Sequence, residues 1–336
     1  MKLIHLLLAI FLSLSFLTTS SFAQQKPPSS STEKQEKIED DDDPQEMLLE
    51  FKTQLVLVPF SAVDRSNRPI NDLKIEELKL YENGQPAQIL SLQRTGNTTI
   101  NFALLVDLSG SMQPYIDQVQ SAADRFFNQA LKPDKDSAAV IAFQKEIVVT
   151  QPLTTEKLAL TKSLNSKSLL LPSAGSLAPV IDGETQRATG TALYGAVYIA
   201  VDEILKSAQG RRVILLLTDG YDSESGIELR DAIDYAWRRE VTIYAIGIGD
   251  IAGINREVMD KLCSVTGGQA FYPKTANELD QVFAQIDQDL RDQYILSFSP
   301  NSEGQETFRT VKIEIPNRPL IKLFHRFGYY SSSSSD

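Results

Sequence analysis

The sequence predicts an α/β fold: a doubly wound, mostly parallel sheet with a smaller flanking β-sandwich built from N- and C-terminal segments. Three observations predict it. Between residues 100 and 292, short and strongly apolar runs alternate with amphipathic helical stretches, the pattern of a sheet covered on both faces. On either side, 48–98 and 293–330 return to short strand-like runs separated by turn residues. Neither flank is long enough to enclose a core of its own. The two are therefore expected to pair into one sandwich, with the α/β domain inserted between them.

Taken in order, residues 1–23 read as a secretory signal. Lys2 gives a positive start, 6–17 an apolar core, and Ser21-Phe22-Ala23 a small-x-small cleavage site. The alternative is an uncleaved membrane anchor, for which the apolar core is short of the ~20 residues of a span; no transmembrane helix is expected after cleavage. Residues 24–46 are polar and end near the run Asp40 to Asp43. They read as a disordered acidic linker with a solvated charge run. Within 48–98, the run 51–60 partly alternates and 65–69 is a turn. Leu78-Lys79-Leu80-Tyr81 and the run 87–92 flank Glu82-Asn83-Gly84-Gln85, whose Asn-Gly is a hairpin signal.

In 100–292 the strand patterns are 101–107, 138–143, 212–218, 241–248 and 269–272. The helical pattern 115–131 places Ile116, Val119, Ala123, Phe126, Phe127 and Ala130 on one face. Further helical patterns cover 192–205, 227–239, 256–265 and 277–291. Beyond 292, strands are expected at 294–298, 308–315 and 320–327, then a polar tail at 331–336.

Composition narrows the function. The chain of 336 residues carries 33 basic and 44 acidic residues, a formal charge of −11. Loss of Lys2 with the signal leaves 32 against 44, or −12. That balance argues against nucleic acid as a partner. Cys263 is the only cysteine, so no internal disulfide is possible. Export without disulfides fits a bacterial periplasmic or secreted protein. Of the two histidines, His5 leaves with the signal. One cysteine and one histidine cannot build a structural zinc site. A Ser-His-Asp triad would have to use His325, which reads instead as a half-exposed strand residue.

The candidate site begins at Asp107-Leu108-Ser109-Gly110-Ser111, directly after the apolar run 101–106. Open α/β sheets bind ligands outside the carboxyl ends of their strands. Thr191 lies just before a helix, where threonine also serves as an N-cap. Asp219 ends the strand 212–218, where aspartate before Gly220 also suits a turn. Together these positions place two carboxylates and three hydroxyls at one sheet edge. Such hard oxygen donors suit Mg²⁺, with Mn²⁺ and Ca²⁺ as the alternatives. A cation held this way keeps net positive charge and attracts an acidic residue of a partner. No second aspartate stands two residues after Asp107, and no Gly-rich phosphate loop with lysine appears. The expectation is a cation-dependent protein-binding module rather than an enzyme. A structural envelope protein with an incidental metal site, and a metal-dependent hydrolase, are the alternatives.

The set Asp107-x-Ser109-x-Ser111, Thr191 and Asp219, in this order within a strand-helix alternation, resembles a von Willebrand factor type A domain. The resemblance covers about 100–292. It implies a Rossmann-like doubly wound fold, a metal-ion-dependent adhesion site at those five positions, and a protein partner that presents a carboxylate to the metal. The stretch 79–84 and Gly328-Tyr329-Tyr330 resemble the flanks of bacterial envelope and secreted proteins that embed this domain. Gly195 departs from the aspartate common in relatives, outside the five positions. The stretch 169–188, with Pro172, Gly175, Pro179 and Gly183, is either a tolerated surface insertion or a rim that selects the partner. Asp222, Ser223 and Ser225 are expected to cap the following helix, or to line that rim. In related domains the last helix can shift when the metal takes a ligand; here that helix, 277–291, runs straight into Tyr294.

Overall fold

The chain enters through four strands, β1 (Val56–Val63), β2 (Lys79–Glu82), β3 (Gln85–Ala87) and β4 (Ile89–Arg94). The α/β domain follows as β5 (Ile100–Asp107), α1 (Ile116–Ala130), β6 (Ser137–Phe143), β7 (Ile147–Thr154), α2 (Lys157–Leu164), β8 (Val180–Ile181), β9 (Glu184–Thr185), α3 (Leu193–Ile199), β10 (Arg211–Thr218), α4 (Leu229–Arg238), β11 (Val241–Gly247), α5 (Arg256–Thr266), β12 (Ala270–Phe271) and α6 (Ala276–Arg291). Four strands close it: β13 (Tyr294–Phe298), β14 (Phe308–Glu314), β15 (Lys322–His325) and β16 (Gly328–Tyr330). This computed structural model describes residues 55–96, 98–165, 180, 181, 184, 185, 191–223, 225–250, 253–301 and 307–331. The expected signal segment, acidic linker and polar tail beyond Ser331 lie outside the described residues. So does the stretch 169–188, apart from the antiparallel backbone pairing of β8 with β9.

The central sheet has six strands in the order β12-β11-β10-β5-β6-β7. All neighbours are parallel except β6 and β7. Every residue of β5 is buried, which is why its apolar run shows no alternation. Phe102, Leu104 and Val106 enter one core with α1, α2 and α6, while Ala103 and Leu105 enter a second core with α3, α4 and α5. Among the described residues, three helices thus cover each face of the sheet.

Strand β7 and helix α2, like the short pair β8–β9, were not expected from the sequence. Strand β7 is half-exposed and carries Pro152, a residue that sheets accept at an edge. Helix α2 has only eight residues, too few to show a full apolar stripe. The helical pattern 192–205 is split: α3 passes into a π-helical turn at Ala200–Ile204.

The terminal strands form two four-stranded sheets, β15-β1-β13-β4 and β16-β14-β2-β3. Their facing sides share one core, in which Val58, Phe60, Leu296 and Phe298 are fully buried beside Leu80 and Ile313. The hairpin β2–β3 turns at Asn83 and Gly84, both with positive φ (48° and 77°), the backbone that Asn-Gly supplies. The expected single strand 87–92 is in fact broken at Gln88: β3 pairs with β2 in one sheet and β4 with β13 in the other. A buried polar group sits inside the sandwich. Glu82 accepts from Tyr329, the Asn301 N–H and Arg309, at 2.5, 2.7 and 3.2 Å. Burial pushes its carboxyl up, but these donors outweigh burial and hold it below the ordinary range.

Candidate metal centre

The chain leaves β5 for β6 on one side of it and later returns to β10 on the other. The carboxyl ends of β5 and β10 therefore form a topological switch point, the usual ligand crevice of such sheets. Leu217 of β10 pairs with Val106 of β5, so the loops starting at Asp107 and Asp219 leave the sheet side by side. The loop after β5 is tied to β6 by Leu108 N–H donating to Phe143 O at 2.8 Å.

Asp107 is fully buried and Asp219 is 7% exposed. One Asp107 oxygen accepts from the Ser109 N–H at 2.8 Å, the other from the Thr218 hydroxyl at 2.6 Å. Ser111 donates its hydroxyl to Asp219 Oδ2 at 2.5 Å, and Ser109 Oγ lies 3.1 Å from Ser111 Oγ. Four of the five expected positions are thus joined in one oxygen cluster. Neither carboxylate takes part in an ion pair among the described residues. Burial pushes the Asp107 carboxyl above the usual range, and the charge of Asp219 adds to that. Two buried, uncompensated carboxylates beside neutral hydroxyls make a donor set that suits a hard divalent cation.

Thr191 does not join this cluster through any hydrogen bond among the described residues. Its hydroxyl makes no hydrogen bond among the described residues and does not cap α3, whose N-cap position is Ala192. Its backbone is what the structure fixes. Thr191 N–H donates to Ser223 Oγ at 2.7 Å, and Thr191 O accepts from the Ser223 N–H at 3.2 Å. Ala192 N–H donates to Gln144 O at 2.7 Å.

The expectation for Asp222, Ser223 and Ser225 is corrected here. They do not cap the following helix α4, whose first turn is held by Glu228 and Asp231. They serve the start of α3 instead. Asp222 Oδ1 accepts from the Tyr194 N–H at 3.3 Å and from the Ser225 hydroxyl, and Ser225 Oγ accepts from the Gly195 N–H at 3.4 Å. This holds the Thr191 loop against the Asp219 loop. Sequence reasoning also missed Thr218. Its signal was a hydroxyl directly after the apolar run Val213 to Leu217; that hydroxyl donates to Asp107 at 2.6 Å and accepts from the Gly220 N–H at 3.0 Å. Gly220 has φ +85°, and a Cβ there would lie 2.8 Å from Asn255 O, so the turn after Asp219 requires glycine.

His325 lies in β15, away from these loops. Its Nδ1–H donates to Arg326 O at 2.8 Å and its Nε2 accepts from the Ile313 N–H at 3.3 Å. Burial lowers its pKa, consistent with a neutral ring built into the sandwich.

A doubly wound domain with an oxygen cluster at its switch point defines the class. The chain belongs to the von Willebrand factor type A domain family, which matches residues 101–285, more than half of its 336 residues. Among curated proteins it is similar to an uncharacterized protein of Borreliella burgdorferi, 23% identical over 198 residues that cover 57% of this chain and 53% of that protein. The chain thus spans about half the length of that relative. Among solved structures it is similar to the conserved hypothetical protein BatB from Bacteroides thetaiotaomicron, with TM-score 0.44, 16% identity and coverage of 57% of this chain and all of that one. It is also similar to proximal thread matrix protein 1 from the mussel byssus with a zinc-occupied MIDAS motif, with TM-score 0.47, 14% identity and coverage of 62% and 49%. A von Willebrand factor type A protein from Catenulispora acidiphila matches with TM-score 0.44, 14% identity and coverage of 78% and 70%. Among the described residues, no helix is long and apolar enough to cross a membrane.

Proposed function

We propose that this protein is a cation-dependent protein-binding module, exported to the periplasm or secreted, which captures an acidic residue of a partner. Asp107, Ser109, Ser111, Thr191 and Asp219 hold the cation, Mg²⁺ in the first place. The observation that carries this reading is the cluster in which Ser111 bridges toward Asp219 and Ser109 (2.5 and 3.1 Å) while Asp107 is oriented beside it. Two buried carboxylates without a cationic side chain are costly unless a counter-charge is supplied. When bound, a divalent cation supplies that charge and a Lewis-acidic position for a partner's carboxylate. Thr218 and the Ser109 N–H hold Asp107 in place; Ser223 and Asp222 tie the start of α3, with Thr191, to the loop that follows Asp219. The export part of the reading rests on the sequence of 1–23 and on the single cysteine.

The test is calorimetric titration of the full chain with Mg²⁺, paired with pull-down from a bacterial envelope extract in Mg²⁺ or EDTA. The unaltered chain should bind Mg²⁺ and retain a partner only with the cation present. Asp107→Ala should lose both while keeping its circular dichroism spectrum. Normal Mg²⁺ binding by folded Asp107→Ala sinks the site assignment, and a partner retained in EDTA sinks the cation-dependent mechanism.

A further inference from the structure

At the opposite edge of the sheet, where β10 and β11 begin, a cavity of about 170 Å³ lies between the α/β domain and the sandwich. Its charged lining is Arg211, Arg212 and Arg326 against Glu240 alone. Three guanidiniums and one carboxylate leave a net +2, in a chain whose net charge is −11. Glu240 neutralises Arg326 at 2.8 Å. Arg211 and Arg212 take part in no ion pair among the described residues; the bonds they make go to backbone carbonyls of Leu290, Ala208 and Arg239. The second terminal nitrogen of Arg211, Nη2, is buried with no hydrogen-bond partner among the described residues. Burial pulls the Arg211 guanidinium down to about 10. The Arg211 guanidinium thus lacks a counter-charge, and an anion in the cavity that Arg211 lines would supply one.

The remaining wall is mixed: Leu57, Trp237 and Ile295 are apolar, and Thr242, Thr266 and Gln293 are polar. The volume is close to that of a cavity of roughly 150 Å³ that accepts benzene. We propose that this cavity binds a small organic carboxylate of about benzoate size, with its oxygens on Arg211 and its apolar body against Trp237 and Ile295. Leu57 and Ile295 belong to the sandwich, and Arg211 and Trp237 to the α/β domain, so a ligand here ties the two together. The site is separate from the candidate metal centre and does not depend on it.

Trp237 is the only tryptophan of the chain, so its fluorescence reads this cavity directly. The experiment titrates the full chain with benzoate in EDTA, which keeps carboxylates off any divalent cation, and follows fluorescence and thermal unfolding. The neutral isostere benzyl alcohol and the variant Arg211→Met are run beside it. Benzoate should give a saturable fluorescence change and raise Tm with concentration. Benzyl alcohol on the unaltered chain, and benzoate on Arg211→Met, should each bind about tenfold more weakly or less, since a charge-assisted contact is missing. No saturable change with benzoate overturns the proposal, and equal binding of benzyl alcohol reduces the cavity to an apolar pocket. If Arg211→Met fails to fold by circular dichroism, the comparison of the two ligands on the unaltered chain decides.

Discussion

Asp107 and Asp289 are both buried carboxylates, with opposite surroundings. Asp107 accepts two hydrogen bonds and faces hydroxyls. Asp289, on α6, is 3% exposed, and no side-chain hydrogen bond to it occurs among the described residues. Burial pushes its carboxyl up to about 7, and the charge of Asp292 adds to the shift. Its folded-state pKa thus lies above the unfolded value of about 3.9. Between those values the folded state binds more protons, so this residue's contribution to stability falls as pH rises from about 4 to 7, and then levels off. Asp289→Asn removes the charge. It should stabilise the protein at pH 8 by on the order of 2–4 kcal/mol, with a gain that shrinks toward pH 4. Denaturant unfolding at pH 8 and pH 5 measures this; an equal gain at both pH values would mean that charge is not the cause.

At the scale of elements, α6 is held unevenly. Its C-terminal end is clamped: Arg291 donates to Asp136 at 2.5 Å and to Ala130 O at 2.8 Å, and Arg211 donates to Leu290 O at 2.5 Å. Asp136 also accepts from the Ile100 and Lys132 N–H groups, both at 3.0 Å. Burial pushes Asp136 up, but Arg291 and these backbone donors outweigh it and hold the carboxyl below the ordinary range. Toward its other end, α6 contacts α1 through the stacked rings of Phe126 and Phe283 and an exposed Arg125–Asp280 pair. Any shift of this helix along its axis has to break the C-terminal clamp. Arg291→Met leaves Asp136 buried without its cation and should cost roughly 3–5 kcal/mol. Arg125→Met breaks a surface pair and should cost under about 1 kcal/mol. Chemical denaturation of the two variants compares them directly, and equal costs would show that the clamp is not what secures the helix.

At the scale of the whole molecule, the sandwich interleaves the two ends of the chain. In the sheet β15-β1-β13-β4, every pairing joins an N-terminal strand to a C-terminal one. In the other sheet, β14 joins β2. The α/β domain docks on this sandwich through the Trp237–Phe308 stack, with ring centres 4.3 Å apart, and through Phe327 N–H donating to Val265 O at 2.9 Å. Gly267, φ +88°, makes the approach possible: a Cβ there would lie 2.7 Å from the Arg326 nitrogen. A chain lacking 48–98 should expose β13 and β15 without neighbours. Limited proteolysis should then cut within 293–330 while 100–292 survives. Resistance of 293–330 would refute the split sandwich as a cooperative unit.

The sequence by itself determined the layered α/β alternation, because fully buried strands must be apolar throughout and amphipathic helices must cover them. It also placed Asp107, Ser109, Ser111 and Asp219 at strand ends, and it marked the Asn83-Gly84 hairpin, since only a few residue types accept that turn. Tertiary structure alone decided the rest. The break at Gln88 arises because β3 and β4 find partners in different sheets, a choice made by distant strands. The role of Asp222 and Ser225 at the start of α3, and that of Thr218 toward Asp107, depend on groups 28 to 111 residues away. Local patterns carry no trace of such long-range hydrogen bonds. The uncompensated guanidinium of Arg211 exists only because α6, β10 and the sandwich close around it, which no local reading of the chain reveals.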